Sequence, residues 1–83
     1  MKVRLRFFAS IREALGTDAE VLETQAPTIA ALRHELQARN AVWSDALAPG
    51  RAVRVALNQT MQPDSAALLD NCEVAFFPPV TGG

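Results

Sequence analysis

The stretch EVAFFPPVTGG, residues 73–83, joins the last strand of the chain to an unusual terminus. Its first half alternates between two faces, with Val74 and Phe76 on one of them, and this period of two predicts a strand with one buried face. Two prolines follow, and the strand must end before them because proline has no N–H to donate to a sheet. We therefore divide the chain into a folded domain over residues 1–78 and a flexible tail over residues 79–83.

The N-terminal segment alternates in the same way and predicts the first strand. Its core face consists of Val3, Leu5 and Phe7. Phe8 then lies on the opposite face, as does Phe77 of the last strand. If these strands are neighbours, the two rings form an exposed aromatic patch near the root of the tail, and Met61 is placed to join it. Such patches often mark protein interfaces; the alternative is that the segment around Trp43 covers this face.

A short helix is predicted directly after the first strand. Ser10 and Glu13 have the S-x-x-E spacing of a capping box, and Gly16 suits the left-handed residue that ends a helix. Residues 19–25 then predict a second strand.

The main helix is predicted to follow Pro27, with Thr28 as its N-terminal cap. Glu35 and Arg39 have the spacing of an ion pair on its exposed side, and Asn40 is expected to end the helix. Its apolar stripe has helical spacing and consists of Ile29, Leu32 and Leu36.

The remaining patterns complete the topology. Residues 41–48 are expected to cover the core as a short helical or irregular segment, and a third strand is expected over residues 51–57. Turn residues at 58–60 separate it from a short strand, and the order becomes strand, short helix, strand, helix and three strands. This order predicts an α+β architecture of the β-grasp type, with a mixed four- to five-stranded sheet and one main helix across one face.

Composition narrows the function. The chain has 83 residues, 49% of them hydrophobic, which fits one small domain with little room for an enclosed substrate cavity. A net charge of −1 argues against nucleic acid as a partner, and one cysteine with one histidine argues against a structural zinc site. The sequence has neither the apolar run of a signal peptide nor that of a membrane span, so we expect a cytoplasmic protein.

No residue set in the sequence has the pattern of a catalytic centre. His34 points away from the apolar stripe of the main helix and is expected to be solvated. Cys72 has an acidic neighbour and no cationic cluster to activate its thiol, so it is expected to be packed or idle.

The terminus itself is the remaining reactive group. Gly82 and Gly83 lack side chains that would block a narrow channel, and the α-carboxylate is ionised at neutral pH. Such a carboxylate can attack the α-phosphate of ATP in a partner's site, and sulfur or an amine can capture the resulting acyl-adenylate. The alternative is an ordinary frayed terminus.

The same residues resemble a known family. The run from Glu73 to Gly83 is similar to the C-terminus of small subunits of molybdopterin synthase, the sulfur carriers of molybdenum-cofactor biosynthesis. Further matches are Phe7-Phe8-Ala9 with Arg12-Glu13, the helix start Thr28–Leu32, and Leu57-Asn58-Gln59-Thr60. One departure is Asn71-Cys72, where the family commonly has Gly-Asp.

This resemblance implies a ubiquitin-like carrier rather than a complete enzyme, because the active-site groups lie on the large subunit. An E1-like adenylyltransferase would use Mg-ATP to adenylate Gly83, and a sulfur donor such as a cysteine desulfurase or rhodanese would convert it to a thiocarboxylate. The tail, Thr81-Gly82-Gly83, would then enter the large subunit of a heterotetramer and pass sulfur to cyclic pyranopterin monophosphate.

The resemblance also implies the contact residues. By position, the residues that bind partners are Phe8, Arg12, Met61, Phe77, Pro78, Pro79 and Val80. It implies no permanently bound cofactor, no nucleic acid and no membrane.

Two other hypotheses stay open. Carriers for thiamin thiazole and ubiquitin-like modifiers, including those of tRNA thiolation, also end in Gly-Gly, and they would use the same terminus on another acceptor. A β-grasp interaction module that carries nothing would not use the terminus at all.

Overall fold

The computed structural model describes residues 1–79, which form a five-stranded sheet with three helices and one 3-10 turn. The strands are β1 (Lys2–Phe7), β2 (Ala19–Glu23), β3 (Arg54–Leu57), β4 (Thr60–Met61) and β5 (Cys72–Phe77). The helices are α1 (Ala9–Leu15), α2 (Ile29–Gln37) and α3 (Ala41–Ala46), and the 3-10 turn is Pro49–Arg51. None of the helices in this part of the chain is long and apolar enough to span a membrane.

The sheet is mixed and has the strand order β2-β1-β5-β3-β4. β1 and β5 are parallel, whereas the β1–β2, β3–β5 and β3–β4 pairs are antiparallel. The predicted α+β, β-grasp architecture is confirmed. The first and last strands are central neighbours, so the chain leaves the fold from the middle of the sheet. β3 is shorter than predicted because Pro49 begins a 3-10 turn where the strand was expected to start.

The core lies between α2 and one face of the sheet. The predicted stripe of Ile29, Leu32 and Leu36 is fully buried. It shares one apolar cluster with the strand residues Val3, Leu5, Phe7, Val55, Val74 and Phe76. The predicted cap is also confirmed, because the Thr28 hydroxyl accepts a hydrogen bond from the Ala31 N–H at 3.2 Å.

The predicted capping box of α1 is wrong. The cap position belongs to Phe8, which caps with no side-chain hydrogen bond, and Ser10 lies inside the helix. The sheet sets this start, because the Phe8 N–H donates to the Phe76 carbonyl at 3.2 Å while the Phe8 carbonyl accepts from Ile11 and Arg12. The helix ends as predicted, at Gly16 with φ +72°.

The predicted Glu35–Arg39 pair is also wrong. α2 ends at Gln37, so Arg39 lies beyond the helix and no longer follows Glu35 by one regular turn. Arg39 Nη1 instead donates to Glu20 Oε1 at 2.8 Å, and Glu35 accepts from the Thr24 hydroxyl at 2.6 Å. The hydrogen bond from Arg39 holds the pKa of the Glu20 carboxyl below its usual value, against a smaller opposing effect of burial.

The segment after α2 covers the core and leaves the other face of the sheet open. Asn40 begins α3 rather than merely ending α2, since its side-chain carbonyl accepts from Val42 and Trp43. Trp43 meets Phe7 edge to face, with ring centroids 5.4 Å apart. The alternative in which the Trp43 segment covers the opposite face of the sheet is therefore wrong.

Candidate functional site

Two phenylalanine rings meet on the open face of the sheet. Phe8 and Phe77 stack with centroids 4.8 Å apart and planes 8° from parallel. They meet because β1 and β5 are parallel neighbours in a register that pairs Phe7 with Phe76. Since Phe7 and Phe76 point into the core, the residue after each of them points out. The predicted aromatic patch therefore exists in the fold.

Met61 and the two prolines extend this patch into a groove. A depression of about 440 Å³ lies here, and we call it the aromatic groove. Its lining residues are Phe8, Ala9, Arg54, Met61, Phe77, Pro78 and Pro79. Met61 reaches it from β4 and has 51% of its surface exposed. The start of the groove is shaped by Ala9, whose φ of +51° turns the chain sharply between β1 and α1. The groove thus joins the aromatic patch to the root of the tail.

Small side chains lie beside the aromatic groove. Ala56 and Ala75 face each other across β3 and β5, and both are 4% exposed although they lie on the open face. In register they are flanked by Arg6 on β1 and Met61 on β4. Two alanines between longer side chains make this part of the face shallow, which suits contact with a flat partner surface. The sequence did not single out these alanines, although the alternation of Ala75 with Val74 and Phe76, and of Ala56 with Val55 and Leu57, was the available signal.

Arginine dominates the charge of the open face. Arg54 lies in register with Phe77, and Arg4 lies in register with Glu73. Arg6 has its guanidinium carbon 5.6 Å from the centre of the Phe8 ring, within cation–π range. Arg6 Nη1 lies 3.9 Å from Glu73 Oε2, so the two side chains form an ion pair without a hydrogen bond. Sequence reasoning missed Arg54, because its place beside Phe77 depends on the register of β3.

Arg12 is also predicted to contact a partner protein. Among the predicted contact residues within residues 1–79, it is the one that does not line the aromatic groove. It is exposed on α1, and its backbone N–H donates to the Phe8 carbonyl at 3.3 Å. It therefore follows the aromatic patch by one turn of helix. Its predicted role in partner binding stays a prediction, as do those of Phe8, Met61, Phe77 and the prolines.

A second depression borders the tail root on its other side. It has a volume of about 250 Å³ and lies between α1 and α3. Its lining residues include Ile11, Ala14, Ala46, Val53 and the same two prolines. Pro78 and Pro79 thus stand between two concavities. The rest of the predicted tail, which is Val80, Thr81, Gly82 and Gly83, lies outside the described residues, and so does the prediction that the tail is flexible.

The single histidine and the single cysteine of the chain occupy ordinary structural positions. His34 is exposed in the last turn of α2, as expected. Cys72 is 2% exposed and packs in the core, so its thiol is a core group rather than an accessible nucleophile. Asn71, just before it, has φ +62°, a left-handed conformation that asparagine tolerates. The Asn71-Cys72 departure is therefore compatible with a tight turn at this point.

The sequence is similar to a known protein family and to sequences of known proteins. The sequence profile of the ThiS family matches residues 5–83. The molybdopterin synthase sulfur carrier subunit of Escherichia coli strain K12 is 44% identical over 81 residues, which are 98% of this chain and 99% of the relative. The subunit of the same name from Haemophilus influenzae is 46% identical over 77 residues, covering 93% of this chain and 94% of the relative.

A solved structure agrees with these sequences. A chain of the complex between subunits 1 and 2 of molybdopterin-converting factor from Helicobacter pylori superposes with a TM-score of 0.68. It is 25% identical, and the match covers 100% of both chains. The chain therefore belongs to the ThiS family and, within it, to the molybdopterin synthase sulfur carrier subunits.

Proposed function

We propose that the chain carries sulfur for a molybdopterin synthase as its small subunit, with Gly83 as the residue that is loaded. The observation that carries this proposal is the 44% identity to a sulfur carrier subunit over 98% of the chain. The geometry supports it, because the tail leaves from the centre of the sheet beside an aromatic groove suited to a protein partner.

The chemistry of the proposal requires only a free terminal carboxylate from this chain. In the site of an E1-like adenylyltransferase, a carboxylate oxygen of Gly83 attacks the α-phosphorus of Mg-ATP, and pyrophosphate leaves. The outer sulfur of a persulfide on a donor of the cysteine desulfurase or rhodanese class then attacks the activated carbonyl, and AMP leaves. A thiol next cleaves the resulting acyl disulfide, and the donor's inner sulfur leaves in a disulfide with that thiol. The terminus becomes a thiocarboxylate, whose sulfur the chain delivers to cyclic pyranopterin monophosphate in the large subunit.

The partner side of the proposal uses the open face. The large subunit covers the aromatic groove and Arg12, and the tail from Val80 to Gly83 enters its active site. In support, the structure from Helicobacter pylori is a complex of two subunits of molybdopterin-converting factor. Two terminal glycines suit a narrow entrance, since neither has a side chain.

The root of the tail is well suited to aim it. β5 is hydrogen-bonded to β1 on one side and to β3 on the other, so its end is fixed in the sheet. Pro78 and Pro79 then restrict the backbone, because each ring fixes φ near −65°. For a partner bound at the aromatic groove, the direction in which the chain leaves β5 is therefore already fixed by the sheet and the two prolines.

Intact mass spectrometry tests the loading step. Incubation with the E1-like partner, Mg-ATP and a sulfur source should raise the mass by the replacement of one oxygen with sulfur. Deletion of Gly83 should abolish the shift while the melting temperature stays unchanged. The matched control is a tag placed before Met1, which should permit loading, whereas the same tag placed after Gly83 should block it.

Two outcomes would contradict the proposal. The first is an unmodified wild-type mass with a partner that loads its own established carrier in the same assay. The second is loading followed by conjugation to lysine side chains instead of sulfur transfer, which would favour a ubiquitin-like modifier.

A further inference from the structure

Arg54 brings a positive charge to the aromatic groove. It lies in register with Phe77 and lines the groove together with Phe8 and Met61. Within residues 1–79, no carboxylate lies at ion-pair distance from its side chain. Arg54 is exposed, so water solvates its guanidinium in the free chain. A partner that covers the aromatic groove removes this water.

The loss of this water sets a requirement on the partner. Burying a charged group without a counter-charge is strongly unfavourable, and the penalty is offset only by good pairing geometry. The side chains that line the groove with Arg54 are aromatic rings, a thioether, a methyl group and proline rings, and none of them carries a negative charge. The counter-charge must therefore come from the surface that covers the groove.

Arg6 places a second guanidinium on the other side of the aromatic pair, with only a loose ion pair to Glu73. Its guanidinium lies over Phe8, and its closest carboxylate is Glu73 at 3.9 Å, beyond hydrogen-bond distance. Side-chain exposure is 47% for Arg6 and 17% for Glu73, so the guanidinium stays available to a partner. Arg6 and Arg54 thus bracket the stacked rings of Phe8 and Phe77 from β1 and β3.

We propose that the large subunit carries an aspartate or glutamate opposite Arg54, and that this ion pair fixes the orientation in which the carrier docks. The inference rests on the proposed function and adds the chemistry of the partner surface. Arginine suits this role because its planar fork binds a carboxylate through two parallel hydrogen bonds. The apolar groove then supplies contact area, and the ion pair supplies direction.

Other occupants fit the charges less well. A second copy of the chain would bring a face with the same arginines, and like charges would meet around the two-fold axis. A nucleic acid would meet Glu73 on the same face of a chain whose net charge is −1. A protein with an acidic rim around an apolar centre satisfies both the rings and the guanidinium groups.

Replacement of Arg54 by methionine tests the proposal, because the two possible partner surfaces predict opposite signs. If a carboxylate faces Arg54, Arg54→Met leaves that carboxylate buried and unpaired, and the Kd for the large subunit should rise about tenfold or more. If the partner surface is apolar, methionine should bind as tightly as arginine or more tightly. Arg54→Lys, which keeps the charge without the fork, should give an intermediate Kd.

The matched control is Lys2→Met. It removes the same charge from the same face, but Lys2 lies about 20 Å from Phe8 along β1, at the rise of an extended strand. Titration calorimetry with the full chain and its own large subunit, at low and at high salt, gives each Kd. The Lys2 variant should bind like wild type, and Arg54→Met should show a weaker dependence of affinity on salt.

The outcomes separate this inference from the proposed function. Wild-type binding that Phe77→Ala weakens and Arg54→Met leaves unchanged or strengthens overturns the ion pair alone. No binding of wild-type chain to the large subunit overturns the proposed function and this inference together. Equal weakening by Lys2→Met and Arg54→Met also overturns the inference, since it would reflect net charge rather than a specific pair.

Discussion

The chain has two stacked pairs of phenylalanine rings, and the two pairs lie on opposite faces of the sheet. Phe7 and Phe76 stack inside the core with centroids 5.7 Å apart. Phe8 and Phe77 stack 4.8 Å apart on the open face, where both rings are partly exposed. One step along a strand reverses the side of the sheet on which a side chain lies. In each of the two Phe-Phe dipeptides, therefore, the first ring packs in the core and the second ring lies on the surface.

The largest effect expected from this contrast is on folding. Phe76→Ala removes a ring with 0% exposure from the centre of the core, and large-to-small changes of this kind cost about 3–5 kcal/mol. A domain of this size has a net stability of about 3–5 kcal/mol. Urea unfolding followed by circular dichroism should therefore find this variant largely unfolded in buffer. A cooperative transition close to that of wild type would mean that the core closes around the cavity.

The neighbouring substitution should leave folding nearly intact and weaken binding. Phe77→Ala loses the stack with Phe8, which is worth about 1 kcal/mol of stability. If the aromatic groove is the interface, the same change should weaken binding to the large subunit by about 2 kcal/mol, or roughly 30-fold, as for a central aromatic contact. Calorimetric titration measures the affinity, with a thermal melt of the same sample. Unchanged affinity would remove Phe77 from the interface.

A smaller effect on stability is expected from the ion pair between Glu20 and Arg39. Glu20 and Arg39 pair with side-chain exposures of 28% and 30%, and Arg39 also lies over the Trp43 ring at 4.4 Å. Because the pKa of Glu20 is lower in the folded chain than in the unfolded one, its charge stabilises the fold above the unfolded pKa. This contribution is lost as the pH falls through the lowered folded pKa.

The variant Glu20→Gln measures that contribution. It should reduce the free energy of unfolding by less than about 1 kcal/mol at pH 7, since partly exposed ion pairs contribute little. The difference from wild type should disappear in acid, when Glu20 of wild type is protonated. Urea titrations at neutral and acidic pH check this, and a difference that persists in acid would point to packing instead of charge.

Alternation predicted the strands and their faces from sequence because it is a local property of extended chains. Val3, Leu5 and Phe7 are buried as expected, and the stripe of Ile29 and Leu36 faces them. The aromatic patch was also predictable, once β1 and β5 were taken as neighbours. Its use as a partner surface, and the role of Gly83, remain predictions.

The errors share a different cause. Ser10 has the spacing of a capping box, but the hydrogen bond from Phe8 to Phe76 starts α1 earlier. Arg39 has the spacing for Glu35, but α2 stops at Gln37 and Glu20 lies within reach. In both places a partner distant in sequence displaced a partner nearby. Such contacts depend on register and on where elements end, and neither can be read from local spacing.

The central position of β5 also has a mechanical consequence. A carrier whose tail is drawn into one partner and later withdrawn for the next is pulled along the axis of its last strand. Force along β5 loads its ladders with β1 and β3 in shear, so many hydrogen bonds share it at once instead of opening one after another. If the tail is gripped and released in each cycle, this arrangement lets the domain keep its shape while its terminus is pulled.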